Sequence, residues 1–216
     1  MPSVEAAVER LYRAFAMVPR PGRIEGCPCC IADKKVDVLL RKPLRDLTAD
    51  DLESYAFSAF NTVGCPADYR HFLPRILEIT ACHGRDWVDP EVTLGKIPEC
   101  DLDAWTSRQR AALAGYLDAV FARVLADGPH RDVDTWICAI ARSGVDVGPY
   151  LDRLGRVPAA VLAFFESNAA CLPKGRLGNG FWDRRSAAHG RVVAWFATPE
   201  VARIPFEAYG YRSGPA

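Results

Sequence analysis

The sequence carries no surplus of either charge: Lys plus Arg number 27, Asp plus Glu number 27, and the formal net charge is zero. A general nucleic-acid binder usually shows a basic excess, so no nucleic-acid partner is expected. No stretch approaches the roughly 18 uninterrupted apolar residues of a membrane span, and no membrane partner is expected either. Met1-Pro2-Ser3-Val4-Glu5 has neither the basic start nor the apolar run of a secretory signal, and the closing Gly-Pro-Ala carries no lipidation signal. The expected compartment is the cytoplasm. Alternating apolar runs joined by hairpin turns are missing too, since Asn179-Gly180 lies in a Gly-rich stretch. Neither a Gly-x-Ser-x-Gly segment nor a Ser-His-Asp arrangement is found, which leads us to expect a non-enzyme.

What is present is helical patterning. The 216 residues are half apolar and one quarter charged, enough for a packed core and the length of a single domain over 1–216. Ser3 can cap a helix whose Val4, Val8, Leu11, Tyr12 and Phe15 share one face. Thr48 with Asp51, and Thr106 with Gln109, have capping-box spacing. The first box opens a helix expected to run through Phe57 to Phe60. The second precedes the stripe Leu113, Tyr116, Leu117, Val120, Phe121 and Val124. Asp132, Asp146, Pro158, Asp183 or Ser186, and Thr198-Pro199 mark further starts. In the helix after Pro158, Leu162 and Phe165 are expected to face inward. Pro74 is expected to break or kink the helix around Arg70-His71-Phe72-Leu73.

The pattern predicts an all-α protein of about nine to eleven short helices with brief connections. A HEAT-like stack of antiparallel helix pairs is the expected architecture, with a compact helical bundle as the alternative. The long non-periodic stretches 18–34, 83–104 and 172–183 are the expected functional surfaces.

Eight cysteines are many for such a chain. Cys65, Cys82, Cys100, Cys138 and Cys171 stand singly and are read as small apolar core residues. Cys27-Pro28-Cys29-Cys30 contains a C-x-x-C pair, which can give two thiolates to a tetrahedral zinc. Candidates to complete such a site beside Cys27 and Cys30 are Cys29, Cys65, and His71 or His83, with Cys27, Cys29, Cys30 and His71 the first set and zinc the metal it would take; no other cofactor is expected. The same cluster could instead act as a redox dithiol, because a helix start favours thiolate. His189 is read as a core histidine. Lys174-Gly175-Arg176-Leu177-Gly178-Asn179-Gly180 lacks the Gly-Lys-Ser/Thr ending of a phosphate loop and is read as a mobile connector. Trp87 and Trp182 fall in loops, where an indole could anchor a protein partner.

Several segments carry a resemblance. Gly26-Cys27-Pro28-Cys29-Cys30, Lys42-Pro43-Leu44-Arg45-Asp46-Leu47, Tyr55-Ala56-Phe57, Arg70-His71-Phe72-Leu73-Pro74-Arg75 and Leu94-Gly95-Lys96 together resemble a family of bacterial all-helical proteins with no assigned activity. Thr62-Val63-Gly64 stands where that pattern has Thr-Trp-Gly. The resemblance spans about the first 100 residues and implies a helical fold without supplying a catalytic residue. The functional expectation is a protein-binding, regulatory or antitoxin-like module. The alternative is a thiol-redox or zinc-dependent enzyme centred on Cys27 and Cys30.

Overall fold

The computed structural model describes residues 3–28 and 36–209. They form eleven α-helices and five 3-10 turns, and among them no strand occurs, only the isolated bridges Gly26–Val63 and Ala59–Val63. The protein is all-α. Two compact units emerge, Met1–Val120 and Phe121–Ala216.

The first unit begins with α1 (Val4–Phe15). Ser3 Oγ accepts the Ala6 N–H at 3.2 Å, and Val4, Val8, Leu11, Tyr12 and Phe15 are buried along one face. After α2 (Val36–Arg41), α3 (Ala49–Ser58) opens with the expected box. The Asp51 N–H donates to Thr48 Oγ1 at 3.2 Å, and the Thr48 N–H donates back to Asp51 Oδ2 at 2.9 Å. The helix stops at Ser58, short of the expected Phe60. Phe60 sits at φ 68°, its N–H donating to the Val63 carbonyl at 3.0 Å, and Phe57 is exposed. The tight 59–64 turn ends the helix because it is tied elsewhere: Gly64 N–H donates to the Glu25 carbonyl and Cys27 N–H to the Thr62 carbonyl.

The central element of this unit is α4 (Pro66–His83), which buries Tyr69, Phe72, Leu73, Ile76, Leu77 and Ile79. It continues through Pro74 without the break that is one of the two outcomes expected there. Proline removes one N–H from the ladder and leaves the Arg70 carbonyl without its helical donor. Dense burial on both sides of Pro74 holds the helix together, and side-chain bonds lock it to its neighbours. Arg75 Nε donates to the Leu47 carbonyl at 2.7 Å, and Tyr12 Oη donates to Glu78 Oε2 at 2.5 Å. The 83–104 stretch is not an open loop. It folds into 3-10 turns and α5 (Pro90–Gly95), and it buries Val88, Leu94, Lys96, Ile97 and Cys100. Short turns without helical periodicity hide that packing from a sequence pattern. Tyr69 Oη, Thr80 and Thr93 supply hydrogen bonds within this interior.

Helix α6 (Ser107–Ala126) carries residues of both units, and its second capping box is present, with Gln109 N–H donating to Thr106 Oγ1 at 3.2 Å. The second unit continues with α7 (Val133–Arg142), α8 (Gly148–Leu154), α9 (Pro158–Asn168), α10 (Ala187–Phe196) and α11 (Pro199–Ala208). Trp136, Ile137 and Ile140 line the buried face of α7, whereas Asp132 makes no side-chain cap bond. Asp146 Oδ1 accepts the Gly148 N–H at 3.0 Å, and Ser186 Oγ accepts the His189 N–H at 3.1 Å. On α9 the buried residues are Ala160, Val161, Phe164 and Asn168, whereas the expected Leu162 and Phe165 are half-buried. A helix apolar on most of its circumference offers no polar stripe to fix its rotation.

Candidate functional site

The cysteine cluster of the sequence divides. Cys27 is half-buried, and its N–H donates to the Thr62 carbonyl at 2.8 Å. Cys29 and Cys30 lie outside the described residues. His71, half-buried on α4, places Nδ1 3.4 Å from the Val18 carbonyl oxygen, so Nδ1 carries the proton. Burial lowers the His71 pKa from its ordinary value, and the nearby Arg20 charge adds to this. Cys65 and His83, the other ligand candidates, flank α4 at opposite ends, about 27 Å apart at the helical rise. They cannot share a metal. Among the described residues, no three His, Cys, Asp or Glu side chains converge on a point able to hold one.

The single cysteines split as well. Cys100 and Cys138 are buried, as expected, and burial pushes the Cys100 thiol up to about 12. Cys65 and Cys82 are exposed, against expectation, and Cys171 is half-buried. Cysteine carries too little apolar area to dictate which way a helix turns.

Trp87 is half-buried, with Nε1 donating to the Ala49 carbonyl at 3.1 Å. Trp182 is only 8% exposed, and its ring stands edge-on to His189 with centroids 6.0 Å apart. The 172–183 stretch around it, read from its glycines as a connector, is hydrogen-bonded to the helices beside it. The Gly178 N–H donates to Asn168 Oδ1 at 2.7 Å, and Asn168 Nδ2 donates to Asp134 Oδ1 and to the Phe164 carbonyl. Arg142 Nη1 donates to the Phe181 carbonyl at 2.8 Å. A Cβ at Gly178 would meet the Ser167 carbonyl oxygen at 2.6 Å, so glycine serves close backbone approach here.

Leu172, at the start of this stretch, lines a concavity of the second unit. The groove encloses about 450 Å³ and runs between α9, α10 and α11. Val161 and Phe165 of α9, Val193 and Phe196 of α10, and Val201 and Pro205 of α11 form its walls. The wall residue Phe196 packs in an aromatic cluster, its ring centroid 4.8 Å from that of Phe164 and 5.2 Å from that of Trp195. Phe206 and Tyr209 form the lip, 45% and 56% exposed. Tyr209 Oη donates to Glu166 Oε1 at 3.0 Å, and that carboxylate raises the phenol's pKa. Tyr209 supplies the sole polar side-chain atom of the lining. Outside the lining, α9 and α11 carry exposed carboxylates at Glu166, Glu200 and Glu207 and an exposed guanidinium at Arg203, while α10 carries exposed Arg191. Arg203 itself pairs with Glu207 at 3.4 Å.

Sequence reasoning missed this groove, although a signal was there. Val161, Leu162, Phe164 and Phe165 give α9 more apolar width than one packed stripe consumes. No protein-family model matches the chain, and neither a curated protein nor a solved structure is similar to it.

Proposed function

We propose that the protein is a regulatory, antitoxin-like binding module of the cytoplasm, and that its α9–α11 groove receives the apolar face of a basic amphipathic helix from a partner protein. The observation that carries this reading is the groove itself: about 450 Å³, apolar throughout, with Phe206 and Tyr209 left exposed at its lip. Two rigid aromatic side chains beside an apolar trough are the residue types that dominate docking energetics. An amphipathic helix fills such a trough with anchors at i, i+3 or i+4, and i+7. The exposed carboxylates of α9 and α11 outside the lining, Glu166, Glu200 and Glu207, favour basic flanks on that helix by complementarity. The lining offers no nucleophile or general base, which favours binding over turnover.

Two model helices sharing a leucine face, one flanked by lysines and one by glutamates, test the reading by fluorescence anisotropy. The lysine helix binds saturably, and the glutamate helix at least about tenfold more weakly. Phe206→Asp and Val193→Asp each weaken the lysine helix by about tenfold or more, while Phe57→Asp leaves it unchanged. Equal binding of both helices, or indifference to the groove substitutions, would overturn the proposal.

A further inference from the structure

The first unit holds a second concavity of opposite character. Between α1 and the start of α6 lies a cleft of about 340 Å³ lined by Arg10, Arg13, Ala14, Arg108, Ala111 and Ala112. Three guanidinium-bearing side chains face it, and no carboxylate lines it. The one acid of α1 that could neutralise them from within the same turn, Glu9, is already committed. Arg45 grips Glu9 through both carboxylate oxygens, at 2.6 and 2.9 Å, and this contact holds the Glu9 carboxyl below the usual range. Arg13 uses only Nε, on the Glu9 carbonyl at 3.2 Å. Arg10 and Arg108 make no side-chain hydrogen bond or ion pair among the described residues.

Local construction keeps these charges together. The Arg10 guanidinium lies against α6 beside Gly115, where a Cβ would stand in ordinary contact at 3.7 Å from Arg10 Nη2. The first turn of α6 contains no acidic residue and carries Arg108 instead. A cation at a helix N-terminus is opposed by the macrodipole, so the arrangement disfavours itself until an anion enters. The alanines leave an apolar floor beside the charges.

We infer that the Arg10–Arg13–Arg108 cleft is a binding site for a phosphomonoester dianion. Guanidinium forks match phosphate oxygens with paired N–H donors, and three of them suit a dianion better than a single carboxylate. The alanine floor receives the organic part of the ester. The dianion can arrive on a small metabolite or on a phosphorylated side chain of a partner, and the chemistry of the site is the same for both. The inference is independent of the apolar groove.

Calorimetric titration of the full chain with inorganic phosphate, phenyl phosphate and acetate tests it. Phosphate binds saturably, phenyl phosphate about tenfold more tightly through the floor, and acetate at least about tenfold more weakly than phosphate. Phosphate affinity rises between about pH 5.5 and pH 7.5 as the second proton leaves the ligand. Arg10→Gln and Arg108→Gln each weaken phenyl phosphate about tenfold, whereas Arg23→Gln, at an exposed site elsewhere, does not. Circular dichroism of each variant keeps loss of fold separate from loss of site. Adenosine monophosphate and a phosphoserine peptide then distinguish the two sources, and tighter binding of either supports the site. No saturation by phosphate or phenyl phosphate up to about 10 mM, equal binding of acetate, or full affinity in both arginine variants would overturn it.

Discussion

Tyr55 shows how a single residue couples packing to backbone conformation. Its ring is fully buried between Tyr69 and Phe72, and its Oη has no hydrogen-bond partner among the described residues. Burial raises the phenol's pKa, so the hydroxyl stays protonated. An unpaired buried hydroxyl is costly, and Tyr55→Phe is expected to leave stability unchanged or raise it by up to about 1 kcal/mol in urea melts. A loss of stability would mean the hydroxyl is satisfied. Gly64 presses on the same ring: at φ 70°, a Cβ would lie 2.9 Å from Tyr55 Cε2 and Oη. Gly64→Ala therefore meets backbone strain and a clash together, and is expected to cost about 2 kcal/mol or more.

Asp51 gives the acid response. Its carboxylate accepts from Lys42 Nζ at 2.7 Å and from the Thr48 N–H at 2.9 Å, and Lys42 foremost holds its pKa down at about 2. The unfolded value is near 3.9. A carboxyl with a depressed folded pKa stabilises the fold above the unfolded value, and that contribution fades as pH falls through the folded one. Lys42 is 43% exposed, so the ion pair itself adds little, and most of the contribution comes from the cap. Asp51→Ala is expected to cost about 1–2 kcal/mol at neutral pH. The gap between wild type and variant should close between about pH 5 and pH 2; a gap constant over that range would assign the loss to packing alone.

At the scale of elements, helix starts were readable because capping is local chemistry. Ser3, Thr48 with Asp51, Thr106 with Gln109, and Ser186 all do what their spacing implies. Helix ends and loop behaviour were less readable, since distant partners decide them. The 59–64 turn ends α3 because it pairs with the Glu25–Cys27 segment, and Pro74 stays helical because both its flanks are buried. The Gly-rich stretch 172–183 is held by Asn168 of α9 and Arg142 of α7, two residues from other elements. Composition alone reads such a stretch as mobile, whereas Asn168→Ala should make it so. Lys174 and Arg176 are exposed within it, and trypsin is expected to cut there slowly in the wild type and much faster in the variant. Equal cleavage rates would show that Asn168 is not the clamp. The candidate groove was less legible still: its residues could be named as apolar, but the rotation of α9 decides which of them face the groove.

On the scale of the whole molecule, an even charge count conceals two oppositely built concavities. The first unit gathers Arg10, Arg13 and Arg108 around a cleft, and the second leaves Phe206 and Tyr209 beside an apolar groove. Sequence totals average such features away, because a patch depends on which residues share a face. No helix among the described residues is long and apolar enough to cross a membrane. The most direct measurement replaces Phe206 with a photo-crosslinking amino acid in the native host and maps the captured peptide by mass spectrometry. The account predicts a discrete adduct on a basic amphipathic helix of one partner, absent when the same probe replaces Phe57. No adduct at position 206, or the same adducts from both positions, would contradict it.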